Sequence, residues 1–424
     1  MYKTYLKWLV ISFIIVASSF IIHYLFSVFV VYGLPSYNHE NGKIQHIEGS
    51  FVSRESPITH IQPLWQKWDS NHYLIIAKEG YERLKFENDR VHNWAFFPLY
   101  PLLVRWITKF TAILTGVIPE DVHFFRIGII LSNFFLVGAV YLLRDLIFMI
   151  KSLQEKNKNT IVDIVLLFIV FPTGYFFHMF YTESLYLFLT MLFFVFLFRH
   201  YYRSAAFVVS LLLVTKFIAL SFIPVYFYHY YYEGRKTTHS NIFFMNGFIN
   251  FGIIISPILV FFTHLYSITG NFFAAVDIQK AWAKAPPFFL SSIVHYVASL
   301  PYTIIHWPDM ILNVICALVL LLLCLFFLWK VISRKGKTSN PKTYIIAESF
   351  LIYLWFYVLI VLSSGSLVSV FRYANVNIAL FLLPFLLWWD FVTPKVRFLM
   401  YCMFALHFLF FSYYLLQSPI FYSY

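Results

Sequence analysis

Apolar residues fall in blocks long enough to cross a bilayer, separated by short basic clusters. The first block runs from residue 8 to about residue 31. Others lie near residues 97–114, 122–146, 160–178, 184–199, 204–230, 241–267, 288–306, 310–332, 345–363, 373–390 and 397–416. A spanning helix needs about 20 apolar residues, so the pattern predicts an all-α polytopic membrane protein with about 10–12 transmembrane helices. Lys3 and Lys7 precede the first block. That block is too long for the apolar core of a signal peptide, and no small-residue cleavage site follows it. It reads as an uncleaved first helix with its basic end in the cytoplasm.

Residues 33–95 break this pattern. They hold eight of the 19 acids: Glu40, Glu48, Glu55, Asp69, Glu79, Glu82, Glu87 and Asp89. With the first helix leaving the cytoplasm, this stretch is expected outside, with short amphipathic helices such as one over 64–77 resting on the membrane. A loop of this length is uncommon unless it is functional. Further on, Lys151, Lys156 and Lys158 mark a cytoplasmic loop, as do Arg199 with Arg203, and Arg235 with Lys236. Two later clusters are Arg334, Lys335, Lys337 and Lys342, then Lys395 and Arg397. The positive-inside rule places all five on one side.

Not every block can then cross. Pro98 and Pro101 interrupt the start of 97–114, which is expected to lie partly in the interface or to re-enter. The 204–230 block joins two clusters on the same side, with Lys216 at its middle. Two half-helices meeting within the membrane satisfy both facts. No internal repeat is visible. The chain reads as one transmembrane domain over 1–424, with a first helix over 1–32, an external loop over 33–95 and a helix bundle over 96–424.

Composition excludes several other classes. The 424 residues are 61% hydrophobic, 22% aromatic and only 12% charged. Their mean hydropathy is +0.74. Soluble proteins carry about 25% charged residues, so a soluble enzyme, a disordered chain and a secreted disulfide scaffold are all excluded. The formal charge of +12 comes from 31 Lys and Arg against 19 Asp and Glu. In this setting it reflects basic cytoplasmic loops and no nucleic-acid partner. Cys316, Cys324 and Cys402 lie inside apolar runs and show neither disulfide nor zinc spacing. No HExxH, P-loop or dinucleotide fingerprint occurs.

Charges within or beside a membrane are candidates for function. Asp69 sits in Trp68-Asp69-Ser70-Asn71-His72-Tyr73. It is either a general base for a hydroxyl nucleophile or the cap of a following helix. The two prolines of Phe96-Phe97-Pro98-Leu99-Tyr100-Pro101 suit architecture. Glu183, in Phe180-Tyr181-Thr182-Glu183-Ser184, either accepts a substrate hydroxyl or serves the N-terminal dipole of a helix that Thr182 caps. Lys216, Lys280 and Arg372 are cations at places where simple anchoring fits poorly. They suit a lipid-linked phosphate, which Arg can hold with a bidentate fork.

These blocks resemble, in order, the PIG-V family of membrane mannosyltransferases. The residues that carry the resemblance are Trp68-Asp69, Gly80-Tyr81, Phe96-Phe97-Pro98-Leu99-Tyr100-Pro101, Pro172, Tyr181-Thr182-Glu183-Ser184-Leu185, Gln279-Lys280-Ala281-Trp282 and Arg372-Tyr373. They extend over about residues 65–390. One departure stands out: relatives tend to carry Thr-Arg and a Gly-containing stretch, where this chain has Thr215-Lys216-Phe217-Ile218.

The resemblance implies a GT-C-type helix bundle with its site on the external or lumenal face. It implies inverting transfer of a hexose, mannose by family, from a polyprenyl-phosphate donor to a hydroxyl of a lipid- or glycan-linked acceptor. Asp69 would be the base. Arg372, with Lys216 or Lys280, would neutralise the departing phosphate. His72, Tyr181, Glu183 and Gln279 would contact substrate, and Trp68 and Trp282 would stack on the sugar. The scheme requires no metal, although some enzymes place a divalent ion at a donor phosphate. The membrane would be the plasma membrane in a prokaryote and the endoplasmic reticulum in a eukaryote. The competing reading is a lipid or glycolipid transporter.

Overall fold

A computed structural model of the chain describes residues 2–33, 69–87, 91–154, 174–234, 240–279, 291–298, 309–334, 341–363, 370–387 and 402. Among these the regular structure is helical, and no strand occurs. Five helices are long and apolar enough to cross a membrane, with cores at Tyr5–Phe26, Asp121–Met149, Asn241–Thr269, Val314–Ser333 and Tyr344–Leu362. The protein is thus an all-α, multi-pass integral membrane protein. Of the expected block at 160–178 only residues 174–178 are described, and of the block at 397–416 only residue 402.

Helix α1 (Tyr2–Gly33) packs on α4 (Asp121–Gln154). Arg144 of α4 lies over the rings of Tyr5 and Trp8, near the start of α1. Farther along α1, Ser19 reaches His178, whose Nδ1 meets Asn133 of α4 at 2.7 Å. The two helices are therefore antiparallel. Between them in sequence lie α2 (Ser70–Lys78) and the amphipathic α3 (Leu99–Thr115). Pro98 occupies the α3 N-cap, and Pro101 falls in the first turn, where a missing N–H costs nothing. Gly116 ends α3 in the left-handed region, which favours glycine. At 17 residues α3 is shorter than the five spans. One face buries Tyr100, Val104 and Thr108, and the other exposes Trp106, Phe110, Ile113 and Leu114. Arg105 turns inward and donates to the Ala77 and Ile76 carbonyls at 2.7 and 3.1 Å, closing the end of α2.

Helix α5 (Glu183–Phe198) runs parallel to α4. Phe180 meets Gly128, Phe188 meets Gly138, and Arg199 meets Asp145, in the same direction along both. The N-termini of α4 and α5 therefore share one end of the molecule. The opposite end carries Lys7, Arg144, Arg199 and Arg203.

Helices α6 (Tyr202–Leu213) and α7 (Phe222–His229) form a hairpin around Lys216. The ring of His229 returns to within 5.7 Å of His200, and Tyr230 to within 5.0 Å of Tyr202. This is the pair of half-helices expected across 204–230. No proline or glycine breaks the helix. Instead, the Thr215 hydroxyl donates back to Leu211 O at 2.8 Å, a bond that bends helices. A short 3-10 turn, Phe217–Ser221, then starts the return. Backbone groups freed in an apolar setting need partners. Val214 O finds one in the N–H of Leu99, at 3.0 Å. Pro224 sits in the first turn of α7, where it is tolerated.

The remaining helices are α8 (Ser240–Thr269), α9 (Ala274–Asp277), α10 (Ser291–Ala298), α11 (Asp309–Arg334), α12 (Pro341–Leu362), α13 (Val370–Asn375) and α14 (Ile378–Leu387). The apolar block at 373–390 is thus divided. Asn377 Oδ1 accepts from the Ala379 N–H at 3.1 Å and starts α14 as a cap. Cys316, Cys324 and Cys402 are free thiols.

The α4–α5 contact gives a stability test. A Cβ at Gly128 would stand 1.9 Å from the Phe180 ring, whereas one at Gly252 of α8 meets open space. Gly128→Ala should lower the thermal midpoint in detergent, with overpacking of about 1–3 kcal/mol. Gly252→Ala should hold or raise it, because alanine favours helix by about 1 kcal/mol. Equal midpoints for the two variants would refute the close packing.

Candidate functional site

Four charged side chains from four distant segments meet at the end of the molecule where α4 and α5 begin. Asp69 immediately precedes α2, and Glu183 is the first residue of α5. Lys216 is at the tip of the α6–α7 hairpin, and Arg372 lies in α13. Arg372 Nη1 donates to Asp69 Oδ2 at 2.7 Å. Its Nε stands 3.2 Å from Glu183 Oε1. Lys216 Nζ donates to the same Glu183 oxygen at 2.6 Å. The chain Asp69–Arg372–Glu183–Lys216 alternates in sign and sums to zero. Its side-chain exposures are 16%, 12%, 1% and 9%.

Local geometry explains each placement. Neither Asp69 nor Thr182 makes a side-chain capping bond, although each occupies an N-cap position. The capping alternative for Asp69 is therefore not what the structure adopts; its carboxylate is spent on Arg372. Glu183 does stand at a helix N-terminus, where the dipole favours an anion. The Tyr357 hydroxyl donates to Tyr373 O at 2.7 Å and ties α13 to α12, which sets the Arg372 backbone. Three rings surround the Arg372 guanidinium: Phe176, Tyr181 and Tyr373, at 5.5–5.6 Å. The Tyr373 ring also faces Lys216 at 5.6 Å.

Burial pushes the Asp69 carboxyl upward. The charge and hydrogen bond of Arg372, joined by the charges of His72 and Lys216, more than offset that and hold it below the ordinary carboxylate value. Asp69 is therefore ionised at neutral pH. Glu183 Oε2 is buried and has no hydrogen-bond partner among the described residues.

Of the other expected residues, Tyr181 and His72 lie beside this cluster. The Tyr181 ring contacts Arg372. His72 stacks on Phe96 with centroids 4.5 Å apart, one turn of α2 from Asp69. Gln279 follows α9, which packs on the Asn93–Ala95 turn. That turn is tied to the segment just after α2 by Asn93, which donates to Gly80 O at 3.1 Å and accepts from Glu82 N. Trp68, Lys280 and Trp282 lie outside the described residues. Tyr73, Phe176 and Tyr373 were not expected. Tyr73 OH lies 3.5 Å from Thr182 Oγ1, beside Glu183. Adjacency to His72 and to Arg372 was the available signal for Tyr73 and Tyr373; Phe176 carried none. Among the described residues no group of three His, Cys, Asp or Glu side chains gathers where a metal would bind.

An alternating run of buried acids and bases can neutralise an anion and accept a proton at neighbouring points. Lys216→Met should leave Glu183 with Arg372 as its one remaining cation and destabilise by up to about 3–5 kcal/mol. Adding Glu183→Gln should recover part of the loss, giving a non-additive cycle in thermal unfolding. Additive losses would mean that the two side chains do not interact.

The family model for Mannosyltransferase (PIG-V) matches residues 58–392. A protein of Rattus norvegicus, "GPI alpha-1,6-mannosyltransferase 2", is 32% identical over 124 residues, which is 29% of this chain and 23% of the relative. The protein of the same description from Mus musculus is 31% identical over 124 residues, with the same coverage. The matched segment thus spans about a quarter of the length of these curated relatives. No solved structure matches.

Proposed function

The chain belongs to the PIG-V mannosyltransferase family, and from that membership we propose how this membrane mannosyltransferase carries out transfer. The donor is mannose on a polyprenyl phosphate, and the acceptor is a hydroxyl of a lipid- or glycan-linked sugar. The observation that carries this reading is the buried alternation of Asp69, Arg372, Glu183 and Lys216.

In the proposed reaction Asp69 takes the proton of the acceptor hydroxyl. The hydroxyl oxygen attacks the anomeric carbon from the face opposite the phosphate, so configuration inverts. Arg372 and Lys216 stabilise the charge that grows on the departing phosphate, where fixed cations in a water-poor site act most strongly. Glu183 Oε2 accepts a sugar hydroxyl. Tyr181, His72 and Gln279 contact the substrates, and family resemblance alone adds Trp68, Lys280 and Trp282 to the substrate-binding set. The scheme calls on no metal.

Lys7, Arg199 and Arg203 lie at the end away from the site. By the positive-inside rule this supports a site on the external or lumenal face. The isoprenoid tail would lie along lipid-facing side chains near the hairpin tip, where Phe217 and Leu220 are exposed.

The test uses the purified chain, polyprenyl-phosphate-mannose, and a lipid and glycan extract of the source cells. Native protein should release polyprenyl phosphate and form labelled product. Asp69→Asn should lose about 10²–10⁴ of that turnover, the usual share of a general base. Near-native turnover by a folded Asp69→Asn would remove Asp69 from the mechanism. No release by folded native protein would overturn the donor assignment.

A further inference from the structure

The proposed base and the proposed phosphate-binding cation are bonded to each other. Arg372 Nη1 donates to Asp69 Oδ2 at 2.7 Å, so the group that must take a proton is held by the group that must meet the phosphate. The two ends of the charge chain are unequal. Glu183 is 1% exposed and is gripped by Lys216 at 2.6 Å. Asp69 is 16% exposed and stands at the more open end. Aromatic rings pack about the guanidinium on other sides. The Lys216–Glu183 pair is thus the more deeply enclosed, and the Asp69–Arg372 contact the more open.

Resting on the donor reading above, we propose that Asp69 is an internal counter-ion on Arg372, which the donor's phosphate displaces. The base then becomes free only when donor is bound. A carboxylate tied to a guanidinium is a weak base, because its lone pairs are engaged and the nearby charge favours its ionised form. Binding of the phosphate on Arg372 returns those lone pairs to Asp69 beside the sugar. Glu183 stays at Arg372 Nε, so the guanidinium keeps its position while exchanging one anion for another.

The chemistry balances. The acceptor O–H bond breaks, its oxygen bonds to the anomeric carbon, and its proton passes to Asp69. The bond from the anomeric carbon to the phosphate oxygen breaks, and its electron pair stays on that oxygen. A singly charged diester thus becomes a monoester that carries up to two charges, its second pKa being about 6. The growing charge holds Arg372 away from Asp69 while the carboxylate is protonated. After phosphate leaves and Asp69 loses its proton, the internal pair closes again. An acceptor that arrives without donor meets a masked base.

The experiment measures binding of farnesyl phosphate, a short isoprenyl phosphate monoester, to the full chain in detergent. If Asp69 competes for Arg372, Asp69→Asn should bind farnesyl phosphate about tenfold tighter or more while losing turnover. Ten- to hundredfold corresponds to removing one charge-assisted competitor. Asp69→Ser should do the same and serves where Asn disturbs the loop. Glu82→Gln is the control for loss of a nearby negative charge. Glu82 is bonded to His92, outside the charge chain, and partly exposed. It should change affinity by less than about twofold, because exposed charge is screened. Equal or weaker binding by both folded Asp69 variants, with native protein binding, would overturn the displacement and leave the donor reading standing. An equal gain from Glu82→Gln would also overturn it, by reducing the effect to net charge. If native protein and both Asp69 variants fail to bind, the donor reading falls, and this inference falls with it.

Discussion

A guanidinium and an ammonium enclosed by apolar helices are tolerable only when each lies against a carboxylate. That constraint organises the structure around Arg372 and Lys216. Asp69, Glu183, Lys216 and Arg372 belong to four segments, and Asp69 and Arg372 are 303 residues apart in sequence. The hairpin tip, the start of α5, the start of α2 and α13 must all meet at one place for the charges to pair. Such pairs are poor devices for stability: apolar replacements of similar volume are often neutral or better, whereas deleting one partner is costly. Keeping four such charges together makes sense when they act on a substrate.

The α6–α7 hairpin shows how an irregular backbone reaches that place. Lipid offers no hydrogen bonds, so a chain that stops and turns must be sheltered by protein. Val214 O is met by Leu99 N, and Lys216 N by Leu212 O. The turn that brings Lys216 to Glu183 is thereby joined to the first residue of α3, whose Tyr100 hydroxyl donates to Gly128 O at 2.9 Å. The α2–α3 connection is held in turn by Asn93, by the bond from Tyr81 OH to Phe96 O, and by Phe86 N on Thr269 O. Positioning thus passes through backbone groups more than through packing alone.

Much of this was legible in the sequence, and the boundary is physical. Blocks near 122–146, 241–267, 310–332 and 345–363 became α4, α8, α11 and α12, because length and apolar content decide crossing. Lys216 at the middle of a block flanked by basic clusters was enough to foresee two half-helices. The pairing of Asp69 with Arg372 was not legible. Both were singled out, but each was weighed only against its neighbours, and local rules offer Asp69 a helix to cap. Which cation a carboxylate chooses depends on where distant segments return. The division at Asn377 was hidden in the same way, since a single capping amide inside an apolar block does not alter its mean hydropathy. Tyr73, Phe176 and Tyr373 vanish among 52 Phe and 31 Tyr until the fold aims them at the charges.

The charge chain sums to zero and is almost sealed, and this bears on how the protein responds to ionic strength. Mobile ions screen charges that face water over about 8 Å at physiological salt, but they do not enter a closed cluster. The Lys78–Asp121 pair, 3.0 Å apart with side chains 43% and 25% exposed, belongs to the screened kind. The inner four do not. Added salt therefore weakens the pairs on the rim of this protein far more than the pairs at its centre.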